Sequence, residues 1–198
     1  GLRKLRKIPE MVSAVIFDCD GTLIDSLDVH LRTWRKAFEE LGIPFREEEI
    51  EKRFGKPLKA ILLEVLPPKH HGKIAELAKI KRRHFMEELA SLKLYPSVEK
   101  VLKTLKERAI PLAVATSMGV KSLRASLQAT GIEGYFDVVI TAEDVNKGKP
   151  DPEMLLKAAE KLGEKPQNCL VVGDSIFDVL AAERAGMPVV VVGNNPYQ

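Results

Sequence analysis

The chain has 198 residues, 45% of them hydrophobic and 30% charged, with a formal net charge of +3. That composition excludes fibrous and disordered classes and leaves a globular chain with room for one sizeable core and a smaller satellite. Its apolar runs, such as residues 187–192, fall well short of the roughly 20 residues of a membrane span, and the basic opening GLRKLRKIPE is not followed by the apolar stretch of a signal peptide. A cytoplasmic protein without a membrane partner is expected. Arg3, Lys4, Arg6 and Lys7 against Glu10 supply the whole charge surplus, so residues 1–11 read as a basic extension and no basic face for nucleic acid is expected. The two cysteines, Cys19 and Cys169, sit in or beside strand-like runs, which argues against a disulfide framework.

Taken in chain order, the first β-branched run covers residues 12–17 and stops at Asp18 and Asp20, one residue apart and followed by Gly-Thr. Residues 27–92 then contain no convincing strand. Leu27, Leu31, Trp34, Phe38 and Leu41 repeat at helical spacing and stop at Gly42; Pro57 opens a second helix through Leu66; Ile74, Leu77, Phe85, Leu89 and Leu92 mark a third. Such a stretch is too long for a loop and reads as an inserted helical domain. Four more short strands follow, at 112–115, 136–140, 169–172 and 189–192. Helical stripes lie among them, one with Val98, Val101, Leu102 and Leu105, another with Leu155, Ala158, Ala159 and Leu162. This alternation predicts an α/β fold: a parallel sheet of about five strands with helices on both faces, built from residues 12–26 and 93–198, with an all-helical cap over 27–92.

In an open parallel sheet the ligand lies beyond the carboxyl ends of the strands. The strands deliver Asp18 and Asp20, then Thr116 and Ser117, then a loop with Lys147 and Lys149, then Asp174 with Asp178 one helical turn on. Each element has a plain structural reading: turn residues, helix caps, a solvated lysine, a capping pair of Ser175 and Asp178. Together they put four carboxylates, two hydroxyls and an ammonium at one edge of one sheet. Two like charges 4 Å apart repel by about 4 kcal/mol at an effective dielectric near 20, so the cluster calls for a cation. Magnesium suits an all-oxygen donor set, whereas zinc would want His or Cys. Strand alternation turns Cys19 away and leaves Asp18 and Asp20 on one face. There they can divide the work of nucleophile and proton carrier. A helix start with two hydroxyls and a lysine suits a phosphoryl group.

The stretches DCDGTLIDS, ATS, GKPDP and GDSIFDVLAAERAGM, in that order, resemble the haloacid dehalogenase superfamily, and specifically its phosphatases with a helical cap after the first strand. The likeness implies a Rossmann-like core and a hydrolase acting on a small phosphorylated metabolite, of the phosphoglycolate or sugar phosphate type. It also implies that Asp18 attacks phosphorus and that Asp20 protonates the leaving oxygen and then deprotonates water. Mg2+ would be held by Asp18, the Asp20 carbonyl and Asp174, with Asp178 assisting, while Thr116, Lys149 and Ser117 would hold phosphoryl oxygens. Members that cleave other bonds lack the second aspartate. His30 and Trp34 look like the first cap helix of β-phosphoglucomutase-type sugar phosphomutases. Those usually carry an arginine where this chain has Leu58, three residues after Gly55. A binding protein on an inactive scaffold is the remaining alternative, although no nucleophile or metal ligand is missing. In the cap, His30, Arg53 and Lys56 are candidates for meeting substrate, with solvated charge the plain reading of the last two. Trp34 reads as cap core, and the adjacent His70 and His71 as a loop rather than a metal site.

Overall fold

Ala14–Phe17 (β1) is buried on both faces, as a strand in the middle of a covered sheet must be. In the computed structural model, which describes residues 11–193, it is the central strand of five; residues 1–10 of the basic extension lie outside the described residues. The other elements follow in chain order: β2 Ile24–Asp25, α1 Leu27–Glu40, α2 Glu47–Glu51, α3 Leu58–Val65, α4 Ile74–Glu87, β3 Lys93–Leu94, α5 Val98–Glu107, β4 Leu112–Ala115, α6 Val120–Ala129, β5 Val138–Ile140, α7 Glu153–Leu162, β6 Cys169–Gly173, α8 Ile176–Ala185 and β7 Val189–Val191. The sheet runs β5-β4-β1-β6-β7, every pairing parallel. Strand order reverses at β1, where Val15 faces Leu112 on one side and Leu170 on the other. The crevice for a ligand therefore opens at the end of β1.

Period-two alternation sorts the sheet's two faces. Val15, Phe17, Cys19 and Val114 pack with Leu102 of α5 and Leu123 of α6, whereas Ala14, Ile16 and Ala113 pack with Leu155 of α7 and Ala181 of α8. Cys19 is thus buried in apolar surroundings, away from its charged neighbours, as alternation predicts. A third apolar cluster joins Trp34 and Phe38 of α1, Ile50 of α2, Leu62 of α3 and Leu77 of α4. It explains why α1, α3 and α4 stay helical: each has an apolar stripe that the other helices cover.

Four local features differ from the sequence reading. The helix α2 has the sequence EEEIE with only Ile50 buried, so it shows no apolar period to read. The third helix ends at Glu87 and not at Leu92, giving way to a short helical turn at Leu89–Ser91. Two short strands, β2 and β3, pair antiparallel where the chain leaves and re-enters the sheet region, Ile24 opposite Leu94. The sheet strands themselves begin up to two residues later than the β-branched runs, at Ala14 and Val138.

Candidate active site

The ladder that holds β1 in place carries on to the first acid: the Asp18 amide donates to the Val172 carbonyl at 2.9 Å. After Cys19 and Asp20 the chain turns at Gly21, whose φ is +81°, and a Cβ there would sit 2.1 Å from Asp174 Oδ2. Only glycine lets the β1 turn approach β6 so closely. The following Thr22 donates its hydroxyl to Asp174 Oδ1 at 3.1 Å. On the far side of Asp174, the α8 start folds Asp178 back, and its Oδ2 accepts from the amides of Asp174 at 3.1 Å and Ser175 at 3.3 Å. Ser175 and Asp178 do form the capping pair expected of them. The cap also serves to hold a carboxylate beside Asp174.

Lys149 arrives from the loop after β5 and ties these parts together. Its Nζ donates to the Ala115 carbonyl at 2.9 Å and Asp18 Oδ1 at 3.1 Å, and lies 2.8 Å from Asp178 Oδ1. Asp18, Asp174, Asp178 and Lys149 are 7%, 2%, 1% and 3% exposed, so bulk water does little to screen them. Burial first, and then Asp178, pushes the Asp18 carboxyl well up, with Lys149 opposing. Burial works against the Lys149 ammonium, but Asp178 and Asp18 outweigh it and raise its affinity for the proton. One oxygen from each of Asp18, Asp174 and Asp178 falls within 4.8 Å of the others. Three buried carboxylates with one ammonium leave excess negative charge, and an all-oxygen donor set of this kind fits a hard divalent cation.

Asp20 stands apart from that cluster. Its Oδ1 accepts from the Ser26 hydroxyl at 2.5 Å and meets His30 Nε2 at 3.0 Å. Burial resists its ionisation, but His30, Ser26 and Lys81 together hold the carboxyl below its ordinary value. His30 Nδ1 in turn lies 2.5 Å from Lys81 Nζ, and the imidazole stacks on Phe85 with ring centroids 4.8 Å apart. Burial lowers the proton affinity of His30, against Asp20 and alongside Lys81. A neutral imidazole that donates from Nε2 and accepts at Nδ1 satisfies both neighbours. Burial lowers the Lys81 pKa to about 7. The ammonium sits 4.5 Å above the Phe85 ring.

Asp18, Asp20, His30, Thr116 and Ser117 line one cavity of about 110 Å³, with Trp34, Phe54, Lys56 and Leu58 on its helical side. Of the sequence candidates, Thr116 is buried with its hydroxyl accepting from the Met118 amide. Ser117 donates instead to the Gly55 carbonyl at 3.0 Å, fastening the loop ahead of α3 to the loop ahead of α6. Lys56 reaches the cavity wall but pairs with Glu64. Arg53 is turned away: it pairs with Glu64 at 2.8 Å and with Glu49 at 3.0 Å and is not among the lining residues. Trp34 belongs to the helical cluster and also lines the cavity. His70 and His71 lie in a short helical turn, Pro68–Lys73, and neither belongs to the acidic cluster found among the described residues. Ser26, Thr22 and Lys81 are the residues that sequence reading missed. Lys81 had a signal, for it falls four residues after Leu77 and four before Phe85, on the buried stripe of α4 where a lysine has no solvated place.

A doubly covered parallel sheet with acids, a lysine and a threonine gathered at its switch point defines a phosphoryl-handling enzyme of the α/β class. The model of the haloacid dehalogenase-like hydrolase family matches residues 15–192, and the chain belongs to that family. It is similar to the phosphoglycolate phosphatase of Aquifex aeolicus, 33% identical over 87% of this chain and 80% of that one. It is also similar to the phosphorylated carbohydrates phosphatase of Thermotoga maritima, 34% identical over 89% and 82%. Among solved structures, a hydrolase from Pseudomonas syringae superposes with a TM-score of 0.85 at 27% identity, covering 94% of this chain and 87% of the other.

Proposed function

We propose that the protein is a Mg2+-dependent phosphatase of small phosphorylated metabolites that works through an aspartyl-phosphate on Asp18. The observation that carries this reading is the single buried knot in which Lys149 meets both Asp18 and Asp178 while Asp20 lines the same cavity as Asp18. Residues 27–92 form a cap domain over a core of 12–26 and 93–198, and the Ser117 to Gly55 hydrogen bond holds the two together over the cavity.

Asp18, Asp174 and Asp178 would hold the ion, with the Asp20 carbonyl completing the set. When bound, Mg2+ neutralises phosphoryl oxygens and keeps Asp18 ionised despite its burial. An Asp18 carboxylate oxygen forms a bond to phosphorus as the bond from phosphorus to the leaving oxygen breaks, and Asp20 gives that oxygen its proton. A water then attacks the phosphorus, Asp20 takes its proton, and the Asp18–phosphorus bond breaks to release inorganic phosphate. Asp20 is held ionised by His30 and Ser26 until a phosphate dianion arrives; the added negative charge raises its proton affinity and arms it as an acid. His30 and Lys81 are positioning residues that keep the Asp20 carboxyl aimed into the cavity. Lys149 and the Thr116 hydroxyl stabilise the oxygens on which charge accumulates. Leu58 on the cavity wall favours hydrolysis over the mutase alternative, whose arginine would stand there.

The test is phosphate release across a panel of phosphorylated metabolites with Mg2+ and with EDTA. Activity that needs the metal is expected, with loss in Asp18→Asn and a fall of about 10²- to 10⁴-fold in Asp20→Asn. Full activity in Asp18→Asn would rule the reading out.

A further inference from the structure

Beyond Asp18 and Asp20 the cavity is chemically one-sided. Trp34, Ile50, Leu58 and Ile61 make apolar walls, and among the described residues no other carboxylate and no Asn or Gln side chain lines it. Three cations do: Lys56, Lys81 and Arg82. Lys56 is paired with Glu64, and Lys81 is taken up by His30. Arg82 is exposed, has no carboxylate in ion-pair range among the described residues, and is the uncommitted cation among the residues that line the cavity. At about 110 Å³ the space is well under the roughly 300–1,000 Å³ of sites for drug-sized ligands.

A sugar hydroxyl both donates and accepts, so a wall that recognises polyols needs acceptor side chains, and here these are confined to a few hydroxyls. A wall rich in donors suits a group that only accepts. A planar guanidinium fork is the side chain best matched to a carboxylate or a phosphate. We propose that the enzyme selects phosphorylated compounds whose short leaving group ends in a second anion, a carboxylate or a phosphate, and that Arg82 receives that anion. This rests on the phosphatase reading above and narrows its substrate class.

Kinetics on 2-phosphoglycolate, inorganic pyrophosphate and ethyl phosphate test it in wild type, Arg82→Ala, Arg82→Lys and the control Arg83→Ala. Arg83 is the next residue on α4 and is committed to Glu40. Wild type is expected to favour at least one of the two doubly anionic probes over ethyl phosphate by about 10- to 100-fold in kcat/KM, the size of a charge-assisted hydrogen bond. In Arg82→Ala that preference collapses, mainly through KM; Arg82→Lys restores part of it, and Arg83→Ala keeps it. Whichever probe responds identifies the anion as carboxylate or phosphate. A wild type that hydrolyses ethyl phosphate as well as both anionic probes overturns the inference and leaves the phosphatase standing. Equal losses on all probes in Arg82→Ala overturn it too. Failure of wild type on all three probes overturns the inference; if the metabolite panel above is also inert with Mg2+ present, the phosphatase reading falls with it.

Discussion

Lys81 carries a charge that its surroundings resist, and this has a measurable sign. Its pKa is about 7 in the folded protein, against an ordinary value of 10.5. Below pH 7 both folded and unfolded chains hold the proton and the full burial penalty applies. Between about 7 and 10.5 only the unfolded chain holds it, so the contribution of this residue makes the protein more stable as pH rises, by up to about 1.4 kcal/mol per pH unit for one proton. Subtracting urea unfolding curves of Lys81→Met from those of wild type between pH 6 and 10 isolates that slope, and a difference that stays flat would refute the assignment. The same variant is expected to lose activity, because His30 loses its partner at Nδ1 and with it the orientation of Asp20. Asp18, Asp20, Lys149 and Asp174 were legible in the sequence because each stands just past a strand or in a short motif. Arg53 was misleading for a physical reason. Glu49, one helical turn earlier, and Glu64 on α3 both capture it, and the second pairing, to a separate element, cannot be counted from spacing alone.

At the scale of elements, the loop between α2 and α3 is one place where the helical layer touches the sheet domain. Gly55 has a φ of +107°, a Cβ on it would come 3.2 Å from Ser175 Oγ, and its carbonyl holds the Ser117 hydroxyl. Gly55→Ala is therefore strained in backbone and crowded in side chain at once, at a cost of about 1–3 kcal/mol to this conformation. The expected outcome is a protein that folds with a raised KM, since the cost falls on the closed arrangement of the loop; measuring KM beside the unfolding midpoint separates the two effects. Ser117→Ala removes only the hydrogen bond, worth about 1 kcal/mol, and should raise KM several-fold at most. The order of strands and helices was readable from alternating periods. By contrast, α2 and the β2–β3 pair escaped because five residues in one case and two in the other are too few to show any period.

For the whole molecule, the buried acids make metal and stability one question. An ion that binds only the folded chain stabilises it by about 2.7 kcal/mol at a hundredfold excess over its dissociation constant. For a chain of this size each kcal/mol moves the melting temperature by roughly 2–4 °C. Mg2+ is expected to raise the midpoint by roughly 5–10 °C, EDTA to reverse it, and Asp174→Asn to remove the response; a scan that ignores the ion would count against the site. The hydrogen bond from Thr22 to Asp174 joins residues 152 apart in sequence, and that from Lys149 to Asp18 joins residues 131 apart. During synthesis the ribosome therefore releases Asp18 long before the lysine and the acids that complete its surroundings. The cluster stays incomplete until residues 149–178 have emerged and docked, and recovery of turnover during refolding is expected to serve as a direct clock for that last closure.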